Sequence, residues 1–359
     1  MNDIFAIVLG YYLQRHGLEE RLTYDNYLLS EVDIMSGIVL VCDRVANRNN
    51  VDIFTTNLEF TSNRYFDALY NAAAELTDNV TVYSSPAELE RNIHKHTNDA
   101  IFTAIWSGEL SRNRKSLLPA ICEANDLLYV GADTYVQSIS QDKELSKIHA
   151  QQYGMKSPRG VRISCEQDIE LLYGLKLPIV VKPNFEGSSI GISDNSLKYT
   201  HKEATQLAKE LLPKYKCILA EEYVGGTEVA ICISGSSQHI SLCEVVALEI
   251  DGKLVSDRIW GYESKKCSKA VVGRKVITDT VSQKILDTAQ TIFKSLGKVD
   301  YMRIDGKILD DEFYLIEYTP DCSLHPDCFM RRSFEHNNIS YSEMLSGFIE
   351  NAKINLGNL

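Results

Sequence analysis

Short apolar runs alternate with amphipathic segments over the first 140 residues of the chain. Residues 4–9, 38–42 and 100–105 are largely apolar runs of the kind found in parallel strands that are buried on both faces. Residues 64–76 and 86–94 lie between these runs and are apolar at helical spacing. Strands that alternate with helices predict an open α/β sheet.

The middle of the chain contains a loop suited to an anion. Residues 178–181 form an apolar strand that ends at Lys182, and Pro183 stops the strand because it has no N–H to donate. The loop Glu-Gly-Ser-Ser at 186–189 follows, before a second apolar alternation that starts at Ile190. Backbone N–H groups and hydroxyls in such a loop can close over a phosphate. An ordinary hairpin with an exposed lysine is the alternative interpretation.

A helix is predicted at 140–153, with Ser140 as its N-cap and Gly154 just beyond its end. Lys143 lies in its first turn. Taken alone, this lysine is interpreted as a solvated helix residue.

Strands are also predicted at 217–224 and 228–233, on either side of a Gly-Gly linker. Glu221 and Glu228 lie near their ends and, taken alone, are interpreted as solvated. Residues 256–273 lose all periodicity and become basic and polar, which is typical of a lid or of a disordered loop.

Two alternating strands near the C-terminus carry the strongest chemical signal. Arg303 and Asp305 are predicted to share one face of the first strand, as are Leu315 and Glu317 of the second. Two carboxylates that face each other repel unless a cation lies between them. Oxygen ligands of this kind suit Mg²⁺ that bridges phosphates. Exposed acids on edge strands are the alternative.

Composition and charge indicate the class of protein and disfavour some kinds of partner. A chain of 359 residues with 44% hydrophobic and 24% charged residues is expected to form two or three globular domains. The net charge of −12 disfavours nonspecific nucleic-acid binding. No apolar run is long enough to span a bilayer and no signal peptide is recognised, so we expect no membrane association and a cytoplasmic location. The nine scattered cysteines are expected to be reduced thiols.

From about residue 100 onwards, the motifs resemble those of ATP-grasp ligases, especially the D-alanine–D-alanine ligase family. Lys-Pro at 182–183, Glu-Gly-Ser-Ser at 186–189 and Gln-Asp-Lys at 141–143 occur in the family's order, followed by Arg303-x-Asp305 and Glu317. The resemblance implies an N-terminal open α/β domain at 1–139. A two-lobed ATP-grasp domain of α+β type is then expected, with lobes at 140–224 and 225–359.

The same resemblance implies which residues bind ATP. Lysines and the small-residue loop would contact the phosphates, glutamates would hold the ribose and the adenine amino group, and backbone atoms of the linker would contact adenine. The implied residues are Lys143, Lys182, Glu186, Gly187, Ser188, Ser189, Glu221, Glu222, Tyr223, Val224 and Glu228.

The resemblance also implies a catalytic and a metal-binding set. Arg303 would stabilise the tetrahedral intermediate, with Ser188 and the lid residue Lys265 as further catalytic residues. Asp305, Glu317 and Thr319 would bind one or two Mg²⁺ ions. The family has Asn at the position of Thr319, whose hydroxyl is a poorer ligand, so Asp321 is the alternative donor.

The implied function is a Mg-ATP-dependent carboxylate–amine ligase that forms an amide through an acyl phosphate. D-alanine ligases have a His-Gly-x-x-Gly-Glu-Asp segment where this chain has Trp-Ser-Gly-Glu-Leu-Ser-Arg at 106–112. We therefore expect small carboxylate and amine substrates, amino acids or peptides other than D-alanine, and the resemblance allows a homodimer. A degenerate nucleotide-binding regulator is one alternative, and a ligase for a carrier-protein-bound amine or acid is another.

Cys322, His325 and Cys328 have a spacing that also suggests zinc, although no second pair of ligands lies nearby. The favoured interpretation is that this segment lines the acceptor pocket. Arg331 and Arg332 would then bind an anionic group there.

Overall fold

The predicted apolar strand at 38–42 forms the centre of a parallel sheet. The structure, a computed structural model, describes residues 35–42, 61–103, 112–257, 259 and 272–357. The predicted strand at 4–9 and Lys265 lie outside these residues. The strands of the sheet are β1 (Gly37–Val41), β2 (Val80–Tyr83), β3 (Asp99–Phe102) and β4 (Tyr129–Val130), in the order β2-β1-β3-β4. All three pairings are parallel, as the α/β pattern predicts.

Four helices accompany this sheet, and capping side chains mark where three of them begin. They are α1 (Asn63–Leu76), α2 (Pro86–Asn92), α3 (Leu117–Glu123) and α4 (Thr134–Gln141). Ser62, Ser85 and Asp133 each accept a hydrogen bond from a backbone N–H in the first turn of the helix that follows. No helix within the described residues is long and apolar enough to cross a membrane.

Asp142 separates α4 from the next helix, α5 (Lys143–Gln152). Its backbone is extended and its carboxylate accepts the Leu145 N–H at 3.1 Å, so it is the N-cap of α5. The prediction of Ser140 as N-cap was wrong because Ser140 belongs to α4. Lys143 is consequently the first residue of α5.

A second sheet, antiparallel throughout, supports the small-residue loop. Its strands are β5 (Gly160–Ile163), β6 (Ile179–Pro183), β7 (Leu197–Lys198) and β8 (Ile218–Glu222), in the order β5-β8-β6-β7, with helix α6 (His201–Tyr215) against them. The predicted strand starting at Ile190 is absent. Ser188 and Ser189 have φ angles of 52° and 64°, so the chain turns there instead of extending.

The third sheet, also antiparallel, carries the two alternating strands. It consists of β9 (Thr227–Gly235), β10 (Ile240–Ile250), β11 (Lys253–Leu254), β12 (Val272–Val276), β13 (Tyr301–Leu309) and β14 (Glu312–Pro320). The strand order is β11-β10-β9-β13-β14, and β12 pairs with the outer edge of β10. Three helices follow β12 or β14: α7 (Gln283–Ser295), α8 (Phe329–His336) and α9 (Tyr341–Leu356).

A β-bulge in β14 gives the sheet two chemically different faces. Asp305 pairs with Glu317 as predicted, but Gly306 pairs with Leu315, which leaves Ile316 without a partner in β13. Leu315 is therefore fully buried in the hydrophobic core, whereas Glu317 lines a cleft. The prediction that Leu315 and Glu317 share a face was wrong because the extra residue reverses the alternation.

Lys298 connects the parallel sheet to the third sheet. Its ammonium group is fully buried and donates to the carbonyl oxygens of Tyr129 (2.9 Å) and Gly131 (2.7 Å) and to the Asp300 carboxylate (2.6 Å). Asp300 also accepts hydrogen bonds from the Gly131 N–H and from the Asn355 side chain. The buried charge is thus both paired and fully hydrogen-bonded, which burial requires.

We predict that Lys298→Met lowers the free energy of unfolding by about 3–5 kcal/mol, because it leaves the Asp300 carboxylate buried without a cation. Adding Asp300→Asn should recover part of this loss. Urea denaturation measures both effects, with the exposed Lys284 in α7 changed to Met as the control. A Lys298→Met variant as stable as this control would show that the pair does not hold the two sheets together.

Candidate active site

A cleft of about 880 Å³ lies between the second and third sheets and collects the predicted site. Within the described residues, every residue predicted to bind ATP or a metal ion or to act in catalysis lines it. From the second sheet and its loop come Lys182, Glu186, Gly187, Ser188, Ser189, Glu221, Glu222, Tyr223 and Val224, and from α5 and the third sheet come Lys143, Glu228, Arg303, Asp305, Glu317 and Thr319. Its size is that of a small-molecule or cofactor site.

Lys143 is buried, contrary to its interpretation as a solvated residue. Its ammonium group donates to the carbonyl oxygen of Glu186 in the small-residue loop and lies 2.9 Å from the Glu317 carboxylate. One lysine thus joins the loop to the strand that carries the predicted metal ligand. Its position as the first residue of α5 follows from the Asp142 cap.

Glu221 lies between two buried lysines. One carboxylate oxygen is 2.6 Å from the Lys182 ammonium, and the other accepts from Lys147. Burial raises the pKa of a carboxyl group, but here Lys147 and Lys182 outweigh it and lower the pKa of Glu221. Lys147 was missed by the sequence reasoning. Its spacing of four residues from Lys143 places both on one helix face and was the available signal.

The small-residue loop is fixed by the side chains of Arg114 and Gln141. The Glu186 carboxylate lies 3.2 Å from the Arg114 guanidinium, and both side chains are buried. The Gln141 side chain donates to the carbonyl oxygen of Phe185. Because the chain turns at Ser188 and Ser189, the loop stays close to the end of β6. Nothing in the sequence pattern pointed to Arg114.

The segment after β8 is held by backbone bonds. The N–H groups of Glu222 and Tyr223 donate to the carbonyl oxygens of Arg159 and Pro178, both at 2.9 Å. The Lys307 ammonium lies 4.9 Å from the centre of the Tyr223 ring. This segment therefore forms an ordered wall of the cleft.

The Asp305–Glu317 pair is compensated by protein cations. Arg303 donates to both oxygens of Asp305, at 2.9 and 2.8 Å, and the Thr319 hydroxyl donates to the same carboxylate at 2.8 Å. Burial opposes ionisation of Glu317, but Lys143, assisted by other cations, lowers its pKa to about 2. These two facing carboxylates do not by themselves require a metal ion, because Arg303 and Lys143 already neutralise their charges.

The donor set still suits Mg²⁺. Two ionised carboxylates on paired strands are the hard oxygen ligands that this ion takes, usually with phosphate oxygens completing the shell. Within the described residues, no group of three or more His, Cys, Asp or Glu side chains could hold a metal. The Thr319 hydroxyl orients Asp305 by donating to it.

Asp321 does not replace the missing ligand. Its carboxylate accepts hydrogen bonds from the Ala132 N–H, the Thr103 hydroxyl and the Gln137 amide, at 2.7–2.8 Å. Burial raises its pKa to about 6. Asp321 therefore anchors the end of β14 to the segment before α4.

The predicted anion site at Arg331 and Arg332 was wrong. Arg331 donates to the carbonyl oxygen of Ile339, and Arg332 pairs with Glu335 at 2.6 Å. Both side chains are used to stabilise α8 and the turn after it. Arg274 of β12, which the sequence reasoning missed, lines the cleft instead.

Comparisons with known proteins agree with this geometry. The family model described as D-ala D-ala ligase C-terminus matches residues 151–350. The D-alanine–D-alanine ligase of Carboxydothermus hydrogenoformans is 26% identical over 263 residues, covering 70% of this chain and 80% of that protein. The corresponding ligase of Pelagibacter ubique is 26% identical over 296 residues, covering 79% and 91%.

Solved structures share the fold. The D-alanine–D-alanine ligase of Bacillus anthracis complexed with ATP superposes with a TM-score of 0.68 at 14% identity, covering 90% of this chain and 99% of that one. The VanG D-Ala:D-Ser ligase of Enterococcus faecalis gives a TM-score of 0.64 at 16% identity, covering 88% and 99%. The chain therefore belongs to the D-alanine–D-alanine ligase family and is an ATP-grasp, ATP-dependent ligase that forms a peptide bond.

Proposed function

We propose that the protein is a Mg-ATP-dependent carboxylate–amine ligase for amino acids or peptides other than D-alanine. The observation that carries the proposal is the convergence of Lys143, Lys182 and Arg303 around the Asp305–Glu317 pair in one cleft. Nucleotide binding alone does not require Arg303, whereas an acyl-transfer reaction needs a cation where the oxyanion forms.

The nucleotide would lie along the cleft from the linker to the small-residue loop. Backbone atoms of residues 222–224 would contact adenine, and Glu228 would accept hydrogen bonds from the ribose hydroxyls. Lys143, Lys182 and the loop at 186–189 would surround the phosphates. Before ATP binds, the ion pairs with Glu221 and Glu317 would keep the lysines in position. The phosphates of ATP would then compete with these carboxylates for the lysines.

The reaction has two steps. An oxygen of the acid's carboxylate attacks the γ-phosphorus, and the bond from that phosphorus to ADP breaks. The amine nitrogen then attacks the acyl carbon, loses a proton, and inorganic phosphate leaves. Arg303 would stabilise the negative oxygen of the second step, with Ser188 beside the phosphate. Asp305 and Glu317 would hold Mg²⁺, which neutralises charge on the transferring phosphoryl group when bound.

A sequence departure supports substrates other than D-alanine. Segment 106–112 lacks the His-Gly-x-x-Gly-Glu-Asp pattern of D-alanine ligases. The solved neighbour that is a D-Ala:D-Ser ligase shows that the fold accommodates more than one amine. Lys265 remains a sequence-based proposal because it lies outside the described residues.

A screen for ADP release tests the proposal. Amino acids of both configurations and dipeptides would be supplied singly and in pairs with Mg-ATP. We expect ADP release only when an acid and an amine other than D-alanine are both accepted. Full activity with D-alanine alone would refute the substrate proposal. ATP binding without stimulated ADP release would favour the regulator, an alternative that the departure at Thr319 suggests.

We predict that Lys182→Ala weakens ATP binding at least about 100-fold, or about 3 kcal/mol, because no other lysine occupies the end of β6. Calorimetric titration with Mg-ATP measures the change. The exposed Lys209 in α6, changed to Ala, is the control. Unchanged affinity in Lys182→Ala would remove this lysine from the nucleotide site.

We predict that Glu317→Gln lowers kcat at least about 100-fold, since a metal ligand acting on a phosphoryl group contributes several kcal/mol. The variant should not gain stability, because Lys143 loses its buried carboxylate partner. Glu312→Gln is a matched control: the same change on the same strand breaks only a half-exposed ion pair with Lys156 at 3.3 Å. Normal turnover in Glu317→Gln would show that the paired strands hold no catalytic metal.

A further inference from the structure

Arg274 is a second guanidinium at the Arg303 end of the cleft. It lies on β12, opposite Leu248 of β10, and its guanidinium carbon is 5.2 Å from the centre of the Phe329 ring. The guanidinium carbon of Arg303 is 5.5 Å from the centre of the same ring. Both arginines line the cleft, so Phe329 is shared by two cations.

The two arginines differ in their counter-charges. Arg303 is bound through two hydrogen bonds to Asp305. Arg274 is half-buried, and among the described residues its Nε is buried without a hydrogen-bond partner and its guanidinium has no carboxylate in ion-pair contact. Burial is the main cause that lowers its pKa, and nearby Arg303 adds to the effect. A buried Nε–H without an acceptor is costly, and an anion that accepts from it would remove this cost.

The acidic group near Arg274 is already used. Asp327 accepts from Arg64, with one of the two contacts at 3.0 Å. The Asp327 N–H donates to Nδ1 of His325 at 3.1 Å, which leaves the proton of the neutral imidazole on Nε2. Burial lowers the pKa of His325 and keeps the ring neutral. His325 also lines the cleft, so it adds an N–H donor to the same end.

We propose that Arg274 binds a side-chain carboxylate of the substrate, so that the ligase selects a dicarboxylic amino acid. The inference rests on the proposed function, because Arg303 and the metal ligands account for the reacting carboxylate. The reaction does not require a second guanidinium. Arg274 would therefore bind a negative charge elsewhere on the substrate. Its planar fork fits a carboxylate through two parallel hydrogen bonds. The Phe329 ring and His325 also line this end of the cleft.

Matched pairs of amino acids test the proposal. Glutamate against glutamine, and aspartate against asparagine, each in both configurations, would be supplied to the whole enzyme with Mg-ATP and a panel of second substrates. We expect kcat/KM for an acid to exceed that for its amide at least about 10-fold, the size of a hydrogen bond to a charged group. Arg274→Gln should reduce this ratio to near one, and Arg274→Lys should retain part of it.

Lys275→Gln is the control, because Lys275 is the next residue of the same strand and is exposed. It should keep the wild-type ratio. Equal rates with acids and amides in the wild type would overturn the inference while leaving the ligase function standing. An equal loss for acid and amide in Arg274→Gln would also overturn it, since Arg274 would then bind a group common to both.

A binding measurement separates failure of the inference from failure of the proposed function. Calorimetric titration of glutamate and aspartate into the protein, with a non-hydrolysable ATP analogue and Mg²⁺, requires no turnover. Binding that is lost in Arg274→Gln and retained in Lys275→Gln would support the site even if no ADP were released. Absence of binding of either acid to the wild type would refute it.

Discussion

The cleft depends on the pairing of buried charges. Lys143, Lys147 and Lys182 are all buried, and a buried ammonium is stable only with a carboxylate or several acceptors around it. Glu221 forms ion pairs with Lys147 and Lys182, and Glu317 forms an ion pair with Lys143. Because the lysines come from α5 and β6, and the acids from β8 and β14, these ion pairs connect elements of both sheets that form the cleft.

Under the proposed function, the same pairs would prepare the site for a polyphosphate. A protein with a net charge of −12 must concentrate cations where an anionic substrate binds. The acidic partners hold the lysines in place, and the lysines in turn lower the pKa values of Glu221 and Glu317 in spite of their burial. ATP with Mg²⁺ would then replace protein carboxylates by phosphate oxygens around cations that are already positioned.

The third sheet divides structure and function between its two faces. Ile231, Ile304 and Leu315 belong to the hydrophobic core, whereas Asp305 and Glu317 line the cleft. The bulge at Ile316 allows Leu315 and Glu317 to serve opposite faces. The register of β13 against β14 therefore determines both which side chains are buried in the core and which carboxylates line the cleft.

Much of this arrangement could be predicted from local patterns. Apolar runs located β1 and β6, alternation located the strands of Asp305 and Glu317, and motif order identified the family. Other features could not be read from these patterns. Ser140 and Asp142 are two N-cap candidates only two residues apart, and the extended backbone at Asp142 makes it the cap of α5. The bulge at Ile316 shifts the register by one residue inside a strand that was predicted to alternate regularly. Arg114 and Arg274 acquire their surroundings only from residues far away in the chain, so their roles could not be read from spacing.

In the proposed reaction, the carboxylate is activated by phosphorylation before the amine attacks. The direct measurement uses an acid substrate labelled with ¹⁸O in its carboxylate, and mass spectrometry of the inorganic phosphate released with each amide. We predict that one ¹⁸O atom passes from the acid to phosphate for every amide formed. Phosphate without ¹⁸O, with the departing oxygen of the acid recovered in the nucleotide or in water, would contradict this mechanism.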